Sequence, residues 1–175
     1  MKLNGRSLVE HAFGTAAFAA VLLLTGCNQV TTQEVQATGS TLCVSDFERC
    51  VSPIFDASIN SRTGPATCSA AGCHSQASGS GGAFKIFPNP QAGSSQSLAN
   101  FFSARAFANL DNPTTSRLLQ KPDADSVAHA GGDIFPNSSD ACHAAIVSWI
   151  SNRVDDENAA SCGSCTVPAI ASCGY

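Results

Sequence analysis

The run Cys68-Ser-Ala-Ala-Gly-Cys73-His74 puts two thiols and an imidazole within seven residues. Paired thiols can bond to the two vinyl groups of a haem. A histidine directly after the second cysteine then sits beneath the iron as its proximal ligand. The compact form of this signal has two residues between the cysteines. Here there are four, so the loop must bulge to bring both sulfurs to one porphyrin edge. Two other chemistries suit the same residues. One is a Cys68–Cys73 disulfide closing a small loop, with His74 as an ordinary surface residue. The other is a zinc site completed by one more Cys or His.

A haem iron needs a sixth ligand or an open position. Met paired with His gives the higher-potential centres, but Met1 is the only methionine of the chain. The leading candidate is His129, which precedes Gly131-Gly132 in a loop where the backbone can approach a flat cofactor closely. The alternative is His143, in the first turn of the last helix, where the helix N-terminus disfavours imidazolium. Tyr175 is a weaker donor. Two imidazoles imply a low-spin iron at lower potential, whereas an open position implies ligand or peroxide chemistry.

These residues need elements to hold them. Ser45 and Glu48 have capping-box spacing, and Phe47, Cys50, Val51, Ile54 and Phe55 recur with helical period up to a kink or end at Pro53. After His74 a bulk-free stretch ends in Gly81-Gly82, and Ala83 to Phe87 alternates as a short extended segment. Leu98 to Leu110 is helical in period, and Ser116 to Gln120 adds a turn. Asp140 can cap a final helix in which Cys142, Ile146, Trp149 and Ile150 share one face.

At 175 residues the chain suits one domain with appendages, and its 43% hydrophobic content with ten Phe can bury a core or wrap an apolar cofactor. A net charge of −4 with no Lys/Arg cluster argues against a nucleic-acid surface. Lys2 and Arg6 precede an apolar run from Ala16 to Leu24 that is too short to span a bilayer, so residues 1–26 read as a signal peptide. Its ending, Leu24-Thr25-Gly26-Cys27, resembles the lipobox of bacterial lipoproteins. That resemblance makes Cys27 a lipidated (palmitate-bearing) first mature residue, and Asn28 after it favours the outer membrane. Polar residues 27–42 read as a flexible tether.

In an exported chain disulfides persist. Setting aside Cys27, Cys68 and Cys73 leaves Cys43, Cys50, Cys142, Cys162, Cys165 and Cys173, enough for three bridges. Spacing alone leaves their pairing open. Cys162-Gly-Ser-Cys165 also has the spacing of redox or zinc pairs, and most simply anchors the tail.

In order along the chain come Val51-Ser-Pro-Ile-Phe55, Cys68 to His74, Gly81-Gly82, Ser116-Arg-Leu-Leu-Gln-Lys-Pro122, His129-Ala-Gly-Gly132 and Ile146-Val-Ser-Trp-Ile150. This order resembles a c-type cytochrome domain of exported bacterial proteins, over about residues 43–153. The resemblance implies a mainly α, small cytochrome c-like helical domain with long loops, stapled by disulfides. In it the first and last helices cross beside one covalent haem c, with Phe47, Val51 and Ile54 against Ile146, Trp149 and Ile150. A Cys50–Cys142 bridge is expected to pin that crossing, with residues 154–175 as a Cys-rich tail.

The function so implied is a single-haem, lipid-anchored electron carrier of the bacterial envelope, on the periplasmic or surface face. Its partners would be envelope redox proteins and the membrane, not nucleic acid. Catalysis is not expected, beyond peroxidase-like activity at an open iron: no Ser-His-Asp arrangement, phosphate loop or carboxylate pair is present. A disulfide-stapled non-haem lipoprotein that binds an envelope partner or ligand is the alternative.

Overall fold

The chain folds around the crossing of its first and last helices. The computed structural model describes residues 39–160, 162, 163 and 165–175; the expected signal peptide, Cys27 and most of the expected tether lie outside the described residues. Among the described residues no helix is long and apolar enough to cross a membrane.

Helix α1 (residues 44–56) is three segments in continuous succession: Val44–Asp46, a π-helical Phe47–Val51, and Ser52–Asp56. Pro53 explains the widened middle. It lacks an N–H, and its ring would strike the carbonyl one turn back in a regular α-helix; a wider turn just ahead of it relieves both problems. The helix therefore runs on to Asp56 instead of ending at the proline. The expected capping box does not form. Cys43 is the N-cap without a side-chain cap, Ser45 donates to the Ala159 carbonyl at 3.3 Å, and Glu48 accepts from the Gly93 amide (2.7 Å) and the Ser97 hydroxyl (2.6 Å). Two distant donors satisfy the Glu48 carboxylate better than the single amide of a cap.

A hairpin follows, with β1 (Ile59–Ser61) antiparallel to β2 (Gly64–Ala66) and Asn60 opposite Pro65. Helix α2 (Ser95–Ala106) begins three residues before the periodic run, because the Ser94 hydroxyl accepts the Ser97 amide. After a 3-10 turn at Pro113–Thr115 comes the short α3 (Arg117–Gln120). Helix α4 (Ala141–Ser151) is capped as its sequence predicts: one Asp140 oxygen accepts the amides of Cys142 (2.9 Å) and His143 (3.0 Å).

The core is centred on an aromatic triad, Phe47 from α1, Phe101 from α2 and Trp149 from α4, with ring centroids 5.3–6.0 Å apart. All three are fully buried. The Trp149 indole N–H donates to the Cys43 carbonyl at 3.1 Å, which locks α4 to the start of α1.

The expected mainly α class is overturned. Helix covers 33% of the described residues and strand 10%. Eight prolines and long Ser/Gly/Asn/Asp stretches break the chain into turns closed by local backbone and Asx hydrogen bonds. Cross-links supply what longer helices would. Cys43 pairs with Cys162, Cys50 with Cys165, and Cys142 with Cys173. The expected Cys50–Cys142 bridge is therefore wrong: each of these two helical cysteines faces a tail cysteine at bridging distance, Cα–Cα 6.3 and 5.4 Å. The tail is further fixed by backbone bonds, from the Val44 amide to the Glu157 carbonyl and between Thr41 and Val154.

Candidate functional site

The Cys68–His74 run is coiled rather than bulged. The Ala70 amide donates to the Thr67 carbonyl and the Cys73 amide to the Ala70 carbonyl, and the His74 amide closes the coil on the Cys68 carbonyl at 2.9 Å. Gly72 takes φ +86° in the second turn, a conformation that disfavours any side chain. Four intervening residues are thus wound into two turns that bring Cys68 and Cys73 to one wall of a cavity of about 500 Å³, within the size range of ligand and cofactor pockets.

Both thiols are free, whereas the other six described cysteines are paired. Burial, reinforced by Cys73, pushes the Cys68 thiol up to about 12, so it stays protonated across the physiological range. Among the described residues, the groups that bring three ligand atoms within 4.8 Å of one another both consist of an aspartate and a disulfide's two cysteines. Cys68, Cys73, His74 and His129 form no such group. They surround a space instead of converging on a point, which speaks against tetrahedral zinc.

His74 is held by a chain of contacts that begins in α2. Asn100, buried in that helix, accepts the Phe87 amide (2.7 Å) and donates to the Phe87 carbonyl (2.8 Å). The adjacent Ile86 bridges to the end of the motif at Ser75: its amide donates to the His74 carbonyl, and its carbonyl accepts the Gln76 amide. The His74 Nδ1 then donates to the Phe84 carbonyl at 2.9 Å. A methyl at Gly81 would overlap the His74 ring and the Cys73 carbonyl, so that position has room only for hydrogen.

His129 lines the same cavity, and its Nδ1 donates to the Gly132 carbonyl at 3.0 Å. A carbonyl can only accept, so in each neutral ring Nδ1 carries the proton and Nε2 keeps a lone pair for coordination. The two rings lie 6.0 Å apart, with planes within 13° of parallel. Both rings line the same cavity, so their Nε2 atoms are the ones that would hold a metal centre bound there. Burial, with His129 and Lys85 close by, lowers the His74 pKa against the opposing pull of the Phe84 carbonyl. The neutral form is favoured.

The other two candidate ligands go elsewhere. His143 is buried outside the cavity lining, with its Nε2 3.4 Å from Asp123 and its ring edge-on to Phe135. The Asp123 carboxyl is itself raised by burial, against the lowering pull of His143. Tyr175 is half-exposed beneath the Arg62 guanidinium, 5.7 Å from its ring centre.

Sequence reasoning missed Phe84 and Phe107, which meet edge-on at 5.5 Å in the cavity wall, and it missed Arg117 and Lys121, which also line it. The i, i+4 spacing of that cationic pair was visible in Ser116 to Pro122. The Asn100 clamp carried no local signal at all. The residues fit a covalently held haem in their chemistry: two free thiols, two available imidazole nitrogens and largely apolar walls. Comparison with known proteins finds no matching family model, no matching curated protein and no matching solved structure.

Proposed function

We propose that this chain is a single-haem, c-type-cytochrome-like electron carrier of the cell envelope. Cys68 and Cys73 would fix the porphyrin, and His74 and His129 would hold the iron. The observation that carries the reading is the near-parallel pair of imidazoles at 6.0 Å, each with Nδ1 occupied by a carbonyl, beside the two unbridged thiols. A bound haem supplies a one-electron couple. The protein contributes the rest. The Phe84 and Gly132 carbonyls fix both tautomers and orientations, and Phe55, Phe84, Phe107 and Ile146 keep water from the interior face. No side chain needs to act as acid, base or nucleophile. Lipidation of Cys27 would tether the domain, with the outer membrane as its site and envelope redox proteins as its partners.

The non-haem alternative, a stapled binding module, draws support from the three disulfides, but leaves Cys68 and Cys73 without a role. Absorption and electron paramagnetic resonance spectra of the full chain, matured in a host with haem-ligation machinery, separate the two. The expected result is a Soret band with a low-spin ferric signal, lost to high spin or a new ligand in His129→Ala. A wild-type chain without a Soret band overturns the proposal. An unchanged low-spin signal in His129→Ala removes His129 from it.

A further inference from the structure

Seven lysines and arginines fall between residues 39 and 175. Four are ion-paired: Arg49 with Asp46 (2.8 Å), Arg62 with Asp133 (3.2 Å) and Asp125 (3.5 Å), Arg105 with Glu157 (3.0 Å), and Arg153 with Asp111 (3.8 Å). Among the described residues Lys85, Arg117 and Lys121 have no carboxylate partner. With 13 acidic residues to nine basic ones in the chain, carboxylates are not scarce.

The three are not scattered. Arg117 and Lys121 line the cavity, and the charge of Lys85 is close enough to act on His74. Arg117 opens α3 and Lys121 follows its last residue, so their i, i+4 spacing places them on one face. Carboxylates lie close in sequence but are engaged elsewhere: Asp123 with His143, and Asp125 and Asp133 with Arg62. Lys121 also donates to the Ala128 carbonyl at 2.9 Å, directly before His129.

We propose that Arg117 and Lys121 form an acid-receiving edge of the cavity, so that its occupant is dianionic. This rests on the haem reading, in which the acid groups are the two propionates. Arg117 offers a planar fork suited to a carboxylate, and Lys121 a point charge. Through its bond to Ala128, Lys121 ties the position of the acid group to the loop that presents His129.

The test uses full-length chain made without haem ligation, and the probes protoporphyrin IX and its dimethyl ester, with binding followed by fluorescence. Wild type is expected to bind the diacid about tenfold tighter than the ester, a gap of the size that charge-assisted pairing gives. Arg117→Gln/Lys121→Gln should lose that preference while binding the ester as wild type does. Arg117→Lys should retain most of it, and Arg153→Gln, at an ion pair elsewhere, all of it. Equal binding of both probes, no binding of either, or a preference that survives the double variant overturns the inference. In the haem-loaded chain the double variant should also move to a lower midpoint potential, because a cation near the couple favours the added electron. A Soret band in wild type together with equal probe binding defeats this inference alone; absence of the band defeats the functional reading.

Discussion

Around Trp149 everything is closed. Phe47, Phe101 and the indole are fully buried, the indole N–H has a partner, and disulfides bind α1 and α4 to the tail. Around His74 the opposite holds. Two thiols are unbridged, two imidazole nitrogens keep free lone pairs, three cations lack carboxylates, and the part of the wall that carries them includes turns and glycines beside the helices. Both regions belong to one small chain, so the contrast shows how its reactive groups stay available. The frame is secured by apolar packing and cross-links that do not pass through the cavity. The cavity wall can therefore keep groups that a self-sufficient core would pair off.

The largest effect tests that division directly. Removing the bridge in Cys50→Ala/Cys165→Ala should cost roughly 3 kcal/mol in urea unfolding: Cys43–Cys162 still closes the long loop, so what opens is the short ring between the two bridges. Cys68→Ser/Cys73→Ser changes as many sulfurs, yet should alter the stability of the haem-free chain by less than about 1 kcal/mol. Equal losses would break the comparison.

Asn100→Ala stands at the border of the two regions. It leaves both backbone groups of Phe87 without their partner, which should cost about 1–3 kcal/mol. It should also speed amide exchange at Ile86 and Gln76, whose bonds form the bridge next to His74. Unchanged exchange there would mean that the site does not depend on α2.

A smaller effect is pH-dependent and confined to the site. The His74 pKa is lowered in the folded chain from its usual 6.5, so the unfolded chain binds that proton more readily. Stability of the haem-free protein should fall as pH drops below about 6.5, and His74→Gln should flatten that part of the profile. An identical profile in the variant would show that His74 is not the titrating group.

The smallest effect is kinetic. With its thiol pushed up to about 12, Cys68 in the folded haem-free chain should react with iodoacetamide at least about tenfold more slowly than in the urea-unfolded chain. Equal rates would place Cys68 in water rather than in the cavity wall.

How much of this was legible depended on the range of each interaction. The cap and apolar face of α4 are local, since Asp140 meets amides two and three residues on, and both were readable. That His129 faces the same cavity as His74 was reachable from its place before Gly131-Gly132, where the backbone can approach closely. Cysteine pairing was not readable: bridges spanning 115 and 119 residues depend on where the tail docks, and no local pattern encodes that. Ser45 and Glu48 had the right spacing for a capping box, but tertiary donors and acceptors outcompeted it. The helical content was overestimated because segments with helical period, such as 98–110, stop early at turns.

The most direct measurement is the mass of the unfolded, protease-mapped chain after maturation in a haem-ligating host. The account predicts one haem added to the peptide that carries Cys68 and Cys73, surviving acid and denaturant, and absent from Cys68→Ser/Cys73→Ser. A peptide without added mass, or one lighter by the two hydrogens of a Cys68–Cys73 disulfide, would contradict it.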